Sequence, residues 1–239
     1  DMQVASGFSE NYTDTDGIFM AYRRAAAWNP VEEGVETEGL RHFLTQMPKS
    51  DTVQHGRLHH YCSPHSDVLG WVIERVGNAS FAEQFSEHIL APCGGSHTGY
   101  ITLDTYGAPR VSGGMCLSLY DLLLIGEMVR NRGYINKLQV VPSAWIDDIT
   151  AVRDNSIWRA QHNADGPRLF INGNYRSLWY QSGFADQEIC GIGIHGQWLW
   201  INPQKELVIA KLASHDSEVD TATDRVMLAA FRAIDEALN

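Results

Sequence analysis

Apolar residues recur with a helical period between residues 63 and 77. Val68, Val72 and Val76 fall at i, i+4 and i+8, with Leu69 and Ile73 beside them. The spacing predicts one amphipathic helix with its apolar stripe buried. Ser63-Pro64 gives that helix a start, an N-cap hydroxyl followed by a proline whose missing N–H costs nothing there, and Gly77 gives it a stop. Ser118-x-x-Asp121 is a capping box for a second helix through Leu122 to Val129, ending at Gly133. Thr221-x-x-Asp224 does the same for the last helix, with Val226, Ala230, Ile234 and Leu238 as its expected buried row. Shorter helices are expected near 17–27, 36–46, 80–90 and 143–150.

Strand signals lie in 176–182, 189–201 and 206–213. Asn202-Pro203-Gln204-Lys205 is turn chemistry between two apolar runs, so 197–201 and 206–213 are expected to pair as an antiparallel hairpin. Gly107 to Gly114 reads as a loop, not as a boundary, and no internal repeat interrupts the chain. Helices first, then an antiparallel sheet with a closing helix on one face, predict an α+β fold. The expected organisation is one domain over 1–239, with a mainly helical lobe at 1–170 and the sheet with its closing helix at 171–239.

Composition changes this picture little but removes several functions. The chain has 239 residues and a formal net charge of −11, with no basic run. A nucleic-acid backbone and an anionic membrane surface are therefore poor partners, and the acidity favours solubility. No apolar stretch reaches the roughly 20 residues of a membrane span, and Asp1 to Glu10 carry no signal-peptide pattern. Cys62, Cys93, Cys116 and Cys190 are widely spaced without a CxxC pair, which reads as buried free thiols in a cytoplasmic protein.

Most candidate chemistry is weak. His59, His60, Cys62 and His65 crowd together, but adjacent histidines on an extended segment face opposite ways and no second cluster at zinc spacing follows. No metal and no cofactor is expected. Gly94-Gly95-Ser96-His97-Thr98 nearly matches a nucleophile elbow but lacks its final glycine, and Gly113-Gly114 has no partners at phosphate-loop spacing. Two segments carry more. Tyr61-Cys62-Ser63 stands immediately before the amphipathic helix, and Gly191-Ile192-Gly193-Ile194-His195-Gly196-Gln197 leads into a strand.

The run from Tyr61 through Leu69-Gly70 and Glu74 to Val76 resembles the second motif of the serine β-lactamase-like, penicillin-recognising hydrolases, in their class C β-lactamase and esterase branch. Its Tyr-Cys-Ser version is similar to that of the 6-aminohexanoate-dimer hydrolases. Gly113-Gly114 with Asp121-Leu122 is similar to the family's Gly-Gly segment before a later helix, and Gly191 to Trp200 falls where the family keeps its third motif. The resemblance spans nearly the whole chain and implies a β-lactamase/transpeptidase-like fold acting on a small amide or ester, without cofactor. Tyr61 would be general base or proton shuttle, and Ser63 would order the proton network. The register of the glycine-rich run is open. One alignment makes the Ile194 N–H an oxyanion donor, which is the favoured one, and another sets His195 where the motif lysine stands. Tyr12, Trp28, Gly193 and Gly196 would contact substrate.

The family's nucleophile is the serine of Ser-x-x-Lys. Three residues before Lys49, Lys137, Lys205 and Lys211 stand Gln46, Tyr134, Asn202 and Val208, so the motif is missing from these residues. Asp1-Met2-Gln3-Val4-Ala5-Ser6-Gly7 is similar to the end of a segment that follows the Ser-x-x-Lys helix. The resemblance therefore implies a chain that starts inside the fold, inactive alone, which associates with the missing N-terminal segment or forms a homodimer. A non-catalytic ligand-binding homologue is the alternative, and a hydrolase built on Ser96 ranks last.

Overall fold

The structure, a computed structural model, describes residues 6–30, 34, 36–52, 54–161 and 169–238. The opening segment, similar to the end of a family segment that follows the Ser-x-x-Lys helix, lies largely outside them. The chain divides into two compact units, residues 1–86 with 98–117 and residues 87–97 with 118–239. The division differs from the lobe boundary expected at 170, because the helices after residue 118 pack with the sheet.

The first unit holds α1 (Ile18–Ala25), α2 (Gly39–Gln46), α3 (Ser63–Gly77) and α4 (Phe81–Phe85), with a two-stranded ladder of β1 (Tyr100–Ile101) and β2 (Met115–Cys116). Its core gathers Phe8, Phe19, Tyr22, Leu40, Leu44, Cys62 and Ala108. Phe8 is the hub, with edge-on contacts to Phe19 (6.1 Å), Tyr22 (5.6 Å) and Phe43 (6.3 Å). Helix α3 spans the expected residues and ends where Asn78 takes a left-handed conformation. Its buried face is a correction. Leu69, Val72, Ile73 and Val76 are exposed, Val76 by 83%, while Pro64, His65, Ser66, Asp67 and Gly70 face inward. Two contacts explain the rotation. A Cβ on Gly70 would stand 2.3 Å from Val111, so only glycine allows that approach. Asp67 also turns inward to hydrogen-bond Tyr22 and Ser112.

The second unit contains α5 (Leu119–Arg130), the small hairpin β3 (Tyr134–Ile135) and β4 (Leu138–Gln139), then α6 (Ser143–Thr150) and α7 (Ser156–Gln161). The main sheet follows: β5 (Asn174–Arg176), β6 (Trp179–Gln181), β7 (Ile189–Gly193), β8 (Gln197–Asn202) and β9 (Leu207–Lys211), five antiparallel strands in sequence order. The 176–182 signal resolves into the β5–β6 hairpin, and 189–201 into a hairpin of β7 and β8. The β8–β9 hairpin forms as expected, closed by Asn202 Oδ1 accepting from the Gln204 and Lys205 N–H groups.

Strand alternation sends Trp198 and Trp200 to one face of β8 and Leu199 and Ile201 to the other, and all four are buried. Helices flank the sheet on both faces, with the closing helix on one of them as expected. Helix α5 lies so close over Leu199 and Val208 that a Cβ on Gly126 would come within 2.5 Å of Val208. On the other face α8 (Thr221–Ala237) sets Phe231 against Trp198 (5.5 Å) and Trp200 (5.9 Å). The expected buried row of α8 is corrected in turn. Val226 is 62% exposed, Ile234 and Leu238 are also exposed, and Leu228, Phe231 and Asp235 are buried. The tryptophan pair selects Phe231, and the buried Asn202 amide selects Asp235 (2.7 Å).

The result is an α+β fold. Cys62, Cys93 and Cys190 are buried and Cys116 is half-buried, with no disulfide among the described residues. Among the described residues no helix is long and apolar enough to cross a membrane.

Candidate functional site

The residues singled out by sequence fall into two groups, one in each unit. In the first, Tyr61 ends the loop before α3 and Ser63 is that helix's first residue, with Cys62 as the N-cap. What organises them is Glu10, which sequence reasoning missed. Its carboxylate accepts the Ser63 N–H at the opening of α3, where the helix dipole favours negative charge. It also bonds the Ser63 hydroxyl and Tyr12. Burial raises the Glu10 carboxyl, against the lowering effect of those bonds. A single acid two residues before a tyrosine leaves no periodic signal, and only its burial marks it.

Tyr61 keeps 37% of its surface accessible. Enough protein still crowds its phenol that desolvation, with the Glu10 charge second, pushes its pKa up to about 12. Tyr12 is raised as well, by burial first and then by the charges of Glu10 and Tyr61. Tyr12 meets Trp28 edge-on at 6.4 Å. Below α3 runs a buried network: Tyr22 Oη donates to Asp67 Oδ2 (2.6 Å), meets Ser112 Oγ (2.7 Å), and Ser112 N–H donates to Asp67 Oδ1 (2.9 Å).

In the second unit, Ile194 to Gly196 form the tight turn between β7 and β8. Ser182 N–H donates to Glu188 O (3.2 Å), and β6 pairs with β7 at Gln181↔Ile189 and Tyr180↔Cys190. Backbone groups of alternate residues face the same neighbour, so Cys190 turns to β6 while Gly191 and Gly193 turn to β8. A trans peptide sets C=O and the next N–H on opposite sides. With the Gly193 carbonyl toward Gln197, the Ile194 N–H points away from β8. Among the described residues the β6 ladder stops at Cys190, short of that N–H.

His195 is differently placed. Its backbone is left-handed (φ 58°), its N–H donates to Glu218 O (3.0 Å), and its Nδ1 lies 2.7 Å from His215 O. Gly196 is buried with φ +86°, and a Cβ there would stand 2.4 Å from the His215 ring. Gly193 is exposed at the mouth of the turn.

Side chains clamp the turn from behind. Gln197 Oε1 accepts the Ala213 N–H (3.1 Å), which fixes the amide orientation, and its Nε2 reaches Ile194 O (3.2 Å), His195 O (3.3 Å) and Ala213 O (2.5 Å). Lys211 Nζ donates to Gly196 O (2.8 Å). A non-glycine residue in the left-handed region persists only where its surroundings hold it. Replacing Gln197 by Ala is expected to speed hydrogen exchange at the His195 amide about tenfold or more. Unchanged protection, read by NMR, would refute the clamp.

The other candidates carry no site. Ser96 Oγ, Ser118 Oγ and Asp121 Oδ2 all approach one ring nitrogen, Nδ1 of His97, at 3.2, 3.3 and 3.4 Å. A serine triad needs hydroxyl and carboxylate on opposite ring nitrogens, so these residues do not form one. Asp121 anchors the loop instead. Burial opposes its ionisation, but bonds from Ser118, the Ser96 N–H and His97 outweigh it and lower its pKa. His65 is pushed down to about 4, chiefly by burial. Among the described residues no three His, Cys, Asp or Glu side chains could hold a metal ion together.

Residues 2–233 match the β-lactamase family. A 6-aminohexanoate-dimer hydrolase of Paenarthrobacter ureafaciens is 28% identical over 214 residues, 90% of this chain and 53% of the relative. This chain thus spans about half the length of that curated relative. A solved Bacillus anthracis protein, provisionally described as a 6-aminohexanoate-dimer hydrolase, superposes with a TM-score of 0.82 at 20% identity, over 99% of this chain and 59% of that one. A β-lactamase from Mycobacterium bovis superposes with a TM-score of 0.54 at 16% identity, over 78% of this chain and 68% of that one. Likenesses at these identities speak to the fold alone.

Proposed function

We propose that this chain, which belongs to the β-lactamase family, supplies the tyrosine and one oxyanion donor of an amide or ester hydrolase whose nucleophile lies outside these 239 residues. Tyr61 is the proton-transfer group and Ser63 orders its surroundings. Within the second unit the Ile194 N–H is the candidate oxyanion donor, and within the first Tyr12 and Trp28 are the candidate substrate contacts. A short linear amide or ester fits this reading better than a β-lactam, in keeping with the relative of Paenarthrobacter ureafaciens.

The observation that carries the proposal is the state of Tyr61. Its phenol is held at about 12 by burial and by a carboxylate. A general base works best with a pKa near the operating pH, so this phenol needs a cation beside it. The lysine of Ser-x-x-Lys is a group of that sign, and no lysine of this chain follows a serine at that spacing. On this reading the chain alone is expected to be catalytically silent.

The purified chain is assayed with a p-nitrophenyl short-chain ester, alone and with a polypeptide carrying a Ser-x-x-Lys segment. Silence alone and turnover on mixing support the proposal. Turnover by the chain alone, with one adduct to a serine-reactive probe, would sink it. Ligand retention without turnover under both conditions would favour the non-catalytic homologue.

A further inference from the structure

The second unit has a cavity of about 180 Å³ between the α6–α7 link, the β5–β6 hairpin and the loop from Gly183 to Glu188. Thr150 and Glu188 are buried at its floor, while Asn172, Asp186 and Gln187 are exposed at its rim. It lies at the end of the sheet away from the candidate oxyanion turn. Glu188 immediately precedes β7 and Ile194 immediately follows it, and the strand's 5 residues stand between them, at roughly 3.4 Å each.

Primary amides dominate the lining: Asn155, Asn172, Asn174, Gln181 and Gln187. Gln181 Nε2 donates to Ile149 O (2.9 Å) and Ala151 O (3.1 Å), and Asn155 Nδ2 donates to Asn172 O (3.0 Å) and Gly173 O (3.2 Å). These bonds fix both amides and leave Gln181 Oε1 and Asn155 Oδ1 as acceptors with no donor among the described residues. Neither oxygen is sealed from solvent. The side chains of Asn172 and Gln187 make no hydrogen bond among the described residues, so both ends of each amide stay open. Two glycines draw the walls together. A Cβ on Gly173 would stand 2.3 Å from Gln181 O, and one on Gly183 2.4 Å from Asn172 O.

The charges nearby are mostly answered within the protein. Arg153 pairs with Asp148, and Glu188 accepts from Ser182 and Asn202. Only the rim carboxylate of Asp186 lacks a partner among the described residues.

We propose that this cavity is a second binding site, for a small neutral ligand rich in hydroxyl groups and of the size of one sugar ring. Amides and hydroxyls each donate and accept, so they pair without needing charge. A cavity of about 180 Å³ holds roughly six waters at about 30 Å³ each, room for one ring and not for a chain of rings. The half-exposed Phe184 on its wall offers an apolar surface to the ring's C–H face. The pinned amides are already in place before binding, which lowers the ordering cost. None of these residues belongs to the proposed hydrolytic machinery, so the inference stands apart from it.

The test is NMR titration of the purified chain, following the side-chain amides of Asn155, Asn172 and Gln181. The hydroxylated probes are methyl glucoside, methyl galactoside and myo-inositol, against n-butylammonium, acetate and N-methylacetamide. At least one hydroxylated probe is expected to shift these signals saturably below about 100 mM, with no loss as salt is added. The other three probes are expected to bind at least about tenfold more weakly. Asn172→Ala, which breaks no bond of the fold, is expected to weaken binding about fivefold. Asp186→Asn removes only the charge and is expected to leave the affinity within about twofold. Circular dichroism checks that both variants fold. No saturable shift with any hydroxylated probe, or full binding by a folded Asn172→Ala, would overturn the proposal. Tighter binding of butylammonium, lost in Asp186→Asn, would overturn it in favour of a cation site, and equal binding of acetate or N-methylacetamide would remove the hydroxyl selectivity it requires.

Discussion

Replacing Asn202 by Ala is expected to lower the stability of the sheet unit by about 3–5 kcal/mol. Asn202 is 1% exposed, and every hydrogen-bonding position of its amide is used. Oδ1 accepts the Gln204 and Lys205 N–H groups, so Nδ2 must face the other way, where it donates to Glu188 Oε2 (2.9 Å) and Asp235 Oδ1 (2.7 Å). The amide joins three elements: the entry to β7, the β8–β9 turn and helix α8. Its loss opens the turn and leaves two buried carboxylates short of a donor. Ser182 Oγ remains on Glu188, and Arg232 lies 3.8 Å from Glu188 and 3.4 Å from Asp235. Arg232 donates a long bond to Asp235 and only approaches Glu188, so it does not replace the lost amide donor on either.

The same cluster gives the loss a pH dependence. Burial, and then the charge of Asp235 among smaller effects, raises the Glu188 carboxyl above its ordinary value. The folded state therefore holds this proton more tightly than the unfolded chain does. Its stabilising effect is complete at acid pH and is lost as pH rises through the raised pKa. Because a neutral Glu188 carboxyl needs the Nδ2 donor less than an ionised one does, the cost of Asn202→Ala is expected to be smaller below the raised Glu188 pKa than above it. Urea unfolding followed by the buried Trp198 and Trp200 measures it. A loss under about 1 kcal/mol at pH 7 would show that the cluster is not a joint of the fold.

Local chain chemistry made much of this architecture readable in advance. The Ser118 cap of α5 and the Asn202–Lys205 turn each depend on residues a few positions apart and form as expected, whereas α3 is capped one residue outside the expected Ser63 and Gly77, by Cys62 and the left-handed Asn78. What the spacing of apolar residues could not supply was the partner of each stripe. On α3 and α8 it chose the rows that prove exposed, because the neighbouring surfaces demand otherwise: Val111 against Gly70, Tyr22 for Asp67, and the tryptophan pair for Phe231.

The candidate site divides along the same line. Tyr61, Ser63 and Ile194 are legible as motif positions. Glu10 was not, because a charged side chain leaves no mark in sequence of being buried. Gly113-Gly114 was visible only as a family-like segment, and the close approach of Gly113 to the Arg110 guanidinium and of Gly114 to Thr102 needed coordinates.

Tyr61→Phe is expected to lower kcat/KM for ester hydrolysis about 10²- to 10⁴-fold, with little change in KM, once a Ser-x-x-Lys segment is supplied. Phenylalanine keeps the ring and removes only the hydroxyl, so binding persists while proton transfer fails. With its pKa at about 12, the unaided phenol is ionised at pH 7 only to the order of one part in 10⁵. The proposed role therefore requires a cation that lowers that value, and the Glu10 carboxylate opposes it. Neutralising that carboxylate with Glu10→Gln removes a raising influence, so the rising limb of the pH–rate profile is expected to move to lower pH. A burial-dominated phenol limits the size of that move, since desolvation is the larger cause. The two variants separate chemistry from structure, for a role in folding alone would depress the rate at every pH and leave the limb where it stands. Full activity in a folded Tyr61→Phe protein would mean that proton transfer runs through another group, and would remove the tyrosine from the mechanism.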